Sequence, residues 1–256
     1  MIRQVCASAL VIILGTAAAA APPVLRAPAQ DAAEQVFKFD FRQGLQGWVG
    51  GFADFPVGAE EFFELEVGLK PLPAYLLRGR RGERGGRRAG RSRTLFLSGN
   101  NHSDDLFMFI KRPLSGLKPL TRYEVRFNLQ IASNAPSGCA GAGGAPGESV
   151  YLKVGGSAAE PLAVAENGTY RLNVDKGNQS QGGQAAVVLG NIANGLSDCR
   201  AGKALYQFKS LNGQGKSLEL VTDSNGVLWL IIGTDSGFES TTALYYTRVE
   251  VTLREL

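Results

Sequence analysis

Apolar and polar side chains alternate one for one across residues 121–132 (Thr-Arg-Tyr-Glu-Val-Arg-Phe-Asn-Leu-Gln-Ile-Ala). Tyr123, Val125, Phe127, Leu129 and Ile131 fall on one side of an extended chain, and Arg122, Glu124, Arg126, Asn128 and Gln130 on the other. Successive Cβ atoms point to opposite faces of a strand, so this stretch predicts a strand with one face in a core and one in water. Residues 36–41 alternate in the same way, and 61–67 (Glu-Phe-Phe-Glu-Leu-Glu-Val) predict a second strand ended by Pro71 and Pro73. Further strands are expected at 106–111, 148–154, 168–174, 186–192, 205–208, 217–221, 227–233 and 243–253. An Asn225-Gly226 turn lies between two of them. About a dozen strands with short turns and no amphipathic helix predict an all-β fold, an antiparallel β-sandwich.

The first 35 residues do not join this pattern. Arg3, the apolar run 7–14 and the small residues 17–21 have the layout of a secretory signal, so residues 1–21 are read as a signal peptide. The apolar run is too short to span a bilayer. The Pro/Ala-rich residues 22–35 read as a mobile leader, leaving 36–256 as a single β-sandwich domain of an exported, periplasmic or extracellular protein. In an oxidising compartment Cys139 and Cys199 are most simply one disulfide. No Cys-x-x-Cys occurs, and one histidine cannot complete a Cys/His zinc site.

Charge is concentrated rather than spread. The chain carries +4 overall, while residues 78–93 hold eight arginines against Glu83, or +7, which leaves 4 − 7 = −3 for the rest. Arg and Gly alternate there with only Ala89 to bury, as in a disordered surface insertion. It reads either as a solvated loop or as an arm for an anionic polymer such as an acidic polysaccharide. No aromatic interleaves the arginines, and export argues against genomic nucleic acid.

Three places resemble the jelly-roll carbohydrate-binding modules and galactose-binding-like domains. They are Phe39-Asp40-Phe41 with Gly47-Trp48, then Leu117-Lys118-Pro119 leading to Tyr123-Glu124-Val125-Arg126-Phe127, then 244–251 (Leu-Tyr-Tyr-Thr-Arg-Val-Glu-Val). The closing strand lacks the Asp-Asn pair usual in those modules. The resemblance implies a glycan-binding sandwich that uses exposed aromatics and often a structural calcium.

The densest polar chemistry lies at 98–105. Asn100, Asn101, His102, Ser103, Asp104 and Asp105 offer amide, imidazole, hydroxyl and carboxylate groups within six residues. Oxygen donors at this density suit sugar hydroxyls or calcium, with Asp104 and Asp105 as metal candidates. The other reading is an Asx-rich turn that caps its own backbone. The loop 233–242 adds Asp235 and Glu239. Were these to face His102, they would form an acid/base set for a polysaccharide hydrolase or lyase. Trp48, flanked by glycines, is the candidate for stacking on a sugar, and Trp229, in an apolar strand, the candidate for the core. No Gly-x-Ser-x-Gly elbow and no phosphate-binding Gly-Lys-Ser/Thr loop occurs, so no serine hydrolase and no nucleotide or redox cofactor is expected. A purely structural protein whose polar loops are only turns is the third reading.

Overall fold

The computed structural model describes residues 34–78, 93–103, 105–200 and 205–256. The signal peptide, nearly all of the leader, all of the arginine insertion but its two end residues, and Asp104 lie outside the described residues. In chain order the strands are β1 (Glu34–Asp40), β2 (Val49–Ala53), β3 (Phe55–Pro56), β4 (Glu66–Pro71), β5 (Arg93–Asn100), β6 (Phe107–Leu114) and β7 (Arg122–Ser133). They continue with β8 (Val150–Ser157), β9 (Ala163–Glu166), β10 (Thr169–Leu172), β11 (Ala186–Asn191), β12 (Gln207–Val221), β13 (Leu228–Ser236) and β14 (Thr241–Glu255). One short helix, α1 (Ala74–Arg78), follows β4.

The strands form an antiparallel β-sandwich, as the alternation predicts, of the jelly-roll type that the resemblance implies. One sheet runs β12-β7-β14-β5-β4, with β1 also on β14, and the other runs β11-β8-β13-β6-β2. The long β14 pairs with β7 along one edge. On its other edge it pairs first with β5 (Tyr246↔Leu95) and then with β1 (Arg248↔Asp40). Odd-numbered apolar residues of β7 meet Leu228, Leu230 and Ile232 of β13 in one continuous core, which also holds Leu97, Ile110, Leu152 and Val251. Arg122, Glu124, Arg126, Asn128 and Gln130 face solvent, as a one-face-wet strand requires.

Residues 158–185 leave β8 and return to β11 by way of a small sheet, β3-β10-β9. This excursion lies against the outer side of the five-stranded sheet, where Ala53, Phe107, Phe109 and Ile231 are buried beside Ala163 and Leu172. That sheet is therefore covered on both faces. The near-continuous apolar run of β6, whose Phe107 to Ile110 are all buried, reflects this double cover.

Three local expectations change. Residues 61–67 are a turn followed by the start of β4. Phe63 bonds back to Ala59 and Glu64 to Glu61, with Glu64 at φ 50°. Residues 207–208 of the first expected segment and 217–221 belong to one strand, β12, broken by a register shift between Asn212 and Ser217. The Asn225-Gly226 turn joins strands of opposite sheets rather than a hairpin. Gly226 sits there at φ 71°, and a Cβ would lie 2.1 Å from the Leu117 carbonyl oxygen.

Cys139 and Cys199 form the expected disulfide, with Cα atoms 5.5 Å apart and a sequence separation of 60. It ties the loop after β7 to the loop after β11. Closing a loop of that length is worth about 4 kcal/mol in the chain-entropy treatment. A Cys139→Ser/Cys199→Ser variant should lose about 2–4 kcal/mol of stability in urea unfolding while keeping its far-UV spectrum.

Candidate functional site

The 98–105 loop is organised by one amide. Asn101 is buried, and its Nδ2 donates to the carbonyls of Ser236 (2.9 Å) and Phe238 (3.0 Å). Its Oδ1 accepts from the Ser103 and Leu106 backbone N–H groups at 3.1 and 3.3 Å, and its own N–H reaches the Ser240 carbonyl. The polar loop and the 236–240 loop therefore do meet, through Asn101. Apart from a 3.5 Å contact from Ser103 Oγ to its Oδ1, these contacts all go to backbone groups, so Asn101 has the role of the turn-capping Asx reading.

His102 is exposed and stacks on Phe62, with ring centroids 4.1 Å apart and planes at 25°. Phe62 is 63% exposed. Beneath both lies buried Phe63, edge-on to His102 at 5.5 Å and to Phe62 at 5.9 Å, and itself packed on Phe55. The Asn100 N–H donates to the Phe63 carbonyl at 2.6 Å, which locks the turn to the loop. The Asn100 amide points to Glu64 Oε1 at 3.4 Å. The result is a fixed aromatic plate with an amide and a carboxylate at its rim. Sequence reasoning missed Phe62 because it placed residues 61–67 in a strand. The doublet Phe62-Phe63, of which a strand could bury only one, was the available signal.

Asp235 is wholly buried on the outer side of the five-stranded sheet. Lys153 (Nζ 2.8 Å), Lys176 (Nζ 2.8 Å) and the Gln179 N–H (3.0 Å) all donate to its Oδ2. Its approach to Lys153 follows from register. Asp235 is opposite Tyr151 and Gly233 opposite Lys153, so the two charges are diagonal neighbours on one face. Lys153, also wholly buried, donates in addition to the carbonyls of Lys176 and Gln181. Lys176 reaches Asp54 at 3.1 Å, and Arg171 bridges Asp54 (3.1 Å) and Asp105 (3.2 Å). Three carboxylates thus meet three cations.

Burial and neighbouring charges compete at Lys153, Lys176 and Asp105. Burial pulls the Lys153 pKa down against the pull of Asp235. Burial also opposes the Lys176 charge, but Asp235 and Asp54 outweigh it and hold the ammonium above its ordinary range. Burial pushes the Asp105 carboxyl up, helped by Asp54 and Asp235 and opposed by Lys176 and Arg171.

This placement separates the proposed acid/base set. Asp235 gives its carboxylate to two ammonium groups, while His102 faces Phe62. Glu239 lies exposed beside the 142–144 loop, its N–H bonded to the Ala142 carbonyl. Asp105, a metal candidate, faces Arg171, and the Lys176 ammonium lies where a cation shared by Asp54 and Asp235 would sit. Among the described residues no group of three or more His, Cys, Asp or Glu side chains is arranged to hold a metal.

The tryptophans reverse their expected places. Trp48 is 1% exposed and packs edge-on to Phe39 (5.4 Å) and Phe41 (6.0 Å), so it offers no ring to a sugar. Its glycine neighbours mark close packing. A Cβ on Gly50 would lie 2.3 Å from Val67, and one on Gly51 2.5 Å from Phe109. Trp229 is only half-buried, at the outer side of β13, with Lys111 Nζ 5.7 Å from its ring.

No family model matches the chain, and no curated protein matches it. Solved structures do. A carbohydrate-binding module described for specific mannan recognition is matched at 13% identity over 87% of this chain and 99% of its own, with a TM-score of 0.34. A family 11 carbohydrate-binding module of a Clostridium thermocellum cellulosomal cellulase is matched at 8% identity over 89% and 97%, also at 0.34. The active domain of a bacteriophage CBA120 tailspike is matched at 11% identity and a TM-score of 0.33, over 81% of this chain but 20% of the tailspike. The first two are carbohydrate-binding modules, the kind of protein the three sequence stretches resemble. The sandwich itself is read from this chain's own strand pairing.

Two expectations follow from the charge cluster. Asp235→Asn or Lys153→Met should each cost about 3–5 kcal/mol in chemical unfolding, because each strands a buried charge. The joint Lys153→Met/Asp235→Leu change should cost less than the two single losses added. Asp105 carries the opposite sign. Its carboxyl takes up a proton in the fold at a higher pH than in the unfolded chain, so ionised Asp105 lowers stability above that window. Asp105→Asn should therefore raise the melting midpoint at pH 7. The gain should disappear as pH falls through the range in which the native carboxyl protonates.

Proposed function

We propose that the protein is an exported glycan-binding β-sandwich whose ligand contact is the Phe62–His102 plate with Asn100 and Glu64. The observation that carries this reading is the exposed, rigid aromatic stack. The exposed Phe62 face offers an apolar surface with polar groups at its edge, and a sugar ring has the matching shape, an apolar C–H face edged by hydroxyls. Asn100 and Glu64 stand where those hydroxyls would lie, and an amide supplies both donors and an acceptor. Asn101 supports the plate from below rather than touching ligand. Export rests on the layout of residues 1–21, and calcium on the oxygen-rich 100–105 segment with Asp104 and Asp105. The arginine-rich segment, with its +7 charge, extends the ligand range to acidic polysaccharides.

The hydrolase or lyase alternative with His102, Asp235 and Glu239 gains no support from the geometry, since Asp235 is enclosed by lysines. The test is a glycan array with and without chelator on the wild type, Phe62→Ala and a deletion of residues 79–92. Phe62→Ala should weaken binding about tenfold, or roughly 1.4 kcal/mol. The chelator should weaken it only if calcium holds the loop, and the deletion should affect acidic glycans alone. Equal binding by wild type and Phe62→Ala would refute the plate as the contact. No binding by the wild type in any condition would favour the structural reading.

A further inference from the structure

Among the described residues, the amine and carboxyl groups most deeply enclosed together are those of Lys153 and Asp235. Both side chains are 0% exposed, and the lysine Nζ lies 2.8 Å from the aspartate Oδ2. They stand on neighbouring strands, β8 and β13, 82 residues apart in sequence. Gly233 is opposite Lys153, and Asp235 is two residues further along. Phe107 is opposite Asp235 on β6, and its buried ring lies 5.0 Å from Lys176 Nζ, so the pair has an apolar setting closed to water.

The hydrogen bonds to Asp235 are unevenly shared between its two oxygens. Oδ2 accepts from Lys153, Lys176 and the Gln179 N–H, whereas buried Oδ1 has no hydrogen-bond partner among the described residues. A structural carboxylate gains most by using both oxygens, because an unpaired one keeps its desolvation cost. The uneven pattern fits a carboxyl group under attack. Lys176 and Gln179 hold the oxygen on which charge would build, at 2.8 and 3.0 Å, as an oxyanion site does. Oδ1 is the oxygen that can leave. We propose that Lys153 and Asp235 condense to an isopeptide bond, a covalent cross-link between β8 and β13.

The step balances within the pair. One ammonium proton passes from Lys153 to the carboxylate, which leaves an amine and a carboxylic acid. The nitrogen lone pair attacks Asp235 Cγ, and the C–N bond forms. A second proton moves from nitrogen to Oδ1, the Cγ–Oδ1 bond breaks, and Oδ1 departs as water. One N–H stays on nitrogen, Oδ2 becomes the amide oxygen, the two charges cancel, and no oxidant or outside reactant is needed. Burial favours this direction twice. It penalises the two ions but not the neutral amide, and it draws the Lys153 ammonium toward its neutral, nucleophilic form. Holding amine and carboxyl in contact also replaces a collision between separate molecules with a step inside the fold. The product keeps the Lys176 and Gln179 bonds to Oδ2 and loses the one oxygen that had no partner.

The test is peptide mapping of the purified, folded full chain after the Cys139–Cys199 disulfide is reduced. Trypsin cuts after lysine and arginine, so an unlinked chain gives 127–153, 154–171 and 217–248 as separate peptides. The cross-linked chain should resist cutting at Lys153 and give 127–171 joined to 217–248, lighter than their sum by one water. Fragmentation should place the junction at Lys153 and Asp235. The joint Lys153→Met/Asp235→Leu variant should give 127–171 and 217–248 apart, at their full sequence masses. Complete cutting at Lys153 in wild type held folded for several days overturns the proposal. So does water loss without joining, as in a cyclic imide at Asp235, or a junction that survives in the joint variant.

Discussion

The placement of β14 is the constraint on which the rest of the structure depends. Its fifteen residues lie inside the larger sheet, with β7 along one edge and β5 and β1 end to end along the other. Pairing Thr241 with Asn100 brings the polar loop to the 236–240 segment, where the Asn101 amide can bond both sides. Pairing Arg248 with Asp40 brings β1 into line with the β7 and β12 rows on the outer face of that sheet. A shift of one residue would turn Leu244, Tyr246, Val249 and Val251 out of the core, so burial enforces the register that aligns both surfaces.

The buried charges follow a different logic. Taking Lys153 and Asp235 out of water costs several kcal/mol, and their attraction alone offsets little more than that. Their contacts indicate what the pair accomplishes. Lys153 bonds the carbonyls of Lys176 and Gln181, and Asp235 bonds the Gln179 N–H, so both reach from the sheet into the backbone of the covering excursion. A glycine-rich loop with few apolar side chains cannot hold itself down by hydrophobic burial. Polar anchors reaching up from the strands fix it instead, and satisfy backbone groups that the cover hides from water.

Period-two alternation made the sandwich legible, most clearly in β7, because a half-buried strand writes its two faces into its sequence. What alternation could not show was the outer face of a strand. Lys153 stands in an apolar run, and its partner Asp235 lies 82 residues away, so only sheet register joins them. The same gap reversed the tryptophans. Glycines beside Trp48 suggested an open loop, whereas Gly50 and Gly51 are small because Val67 and Phe109 fill the space. Trp229 looked like core because its neighbours Leu228 and Leu230 are, yet it points the other way. The polar loop is visible in the sequence as a dense stretch, but the role of Asn101 as its organiser and of Phe62 as its aromatic neighbour depends on contacts between segments.

The two sheets therefore have unequal freedom to meet a partner. The five-stranded sheet has its outer aromatics, Phe107 and Phe109, stacked 5.6 Å apart under its own excursion, and its charges turned inward to hold that cover. A ligand could reach that face only by breaking the Lys153 and Asp235 contacts, a loss of several buried hydrogen bonds at once. Among the described residues, no comparable cover lies over β1, β14, β7 and β12 of the six-stranded sheet. Its outer residues there are paired along the surface, Lys38 with Glu250 at 3.0 Å and Asn128 with Glu250 at 3.2 Å, and these exposed pairs are weak. Weak, solvated pairs can exchange partners with hydroxyl groups at small cost, whereas the buried cluster cannot. The readily exchanged polar pairs therefore lie on the open sheet, and the charges that cannot exchange lie on the covered one.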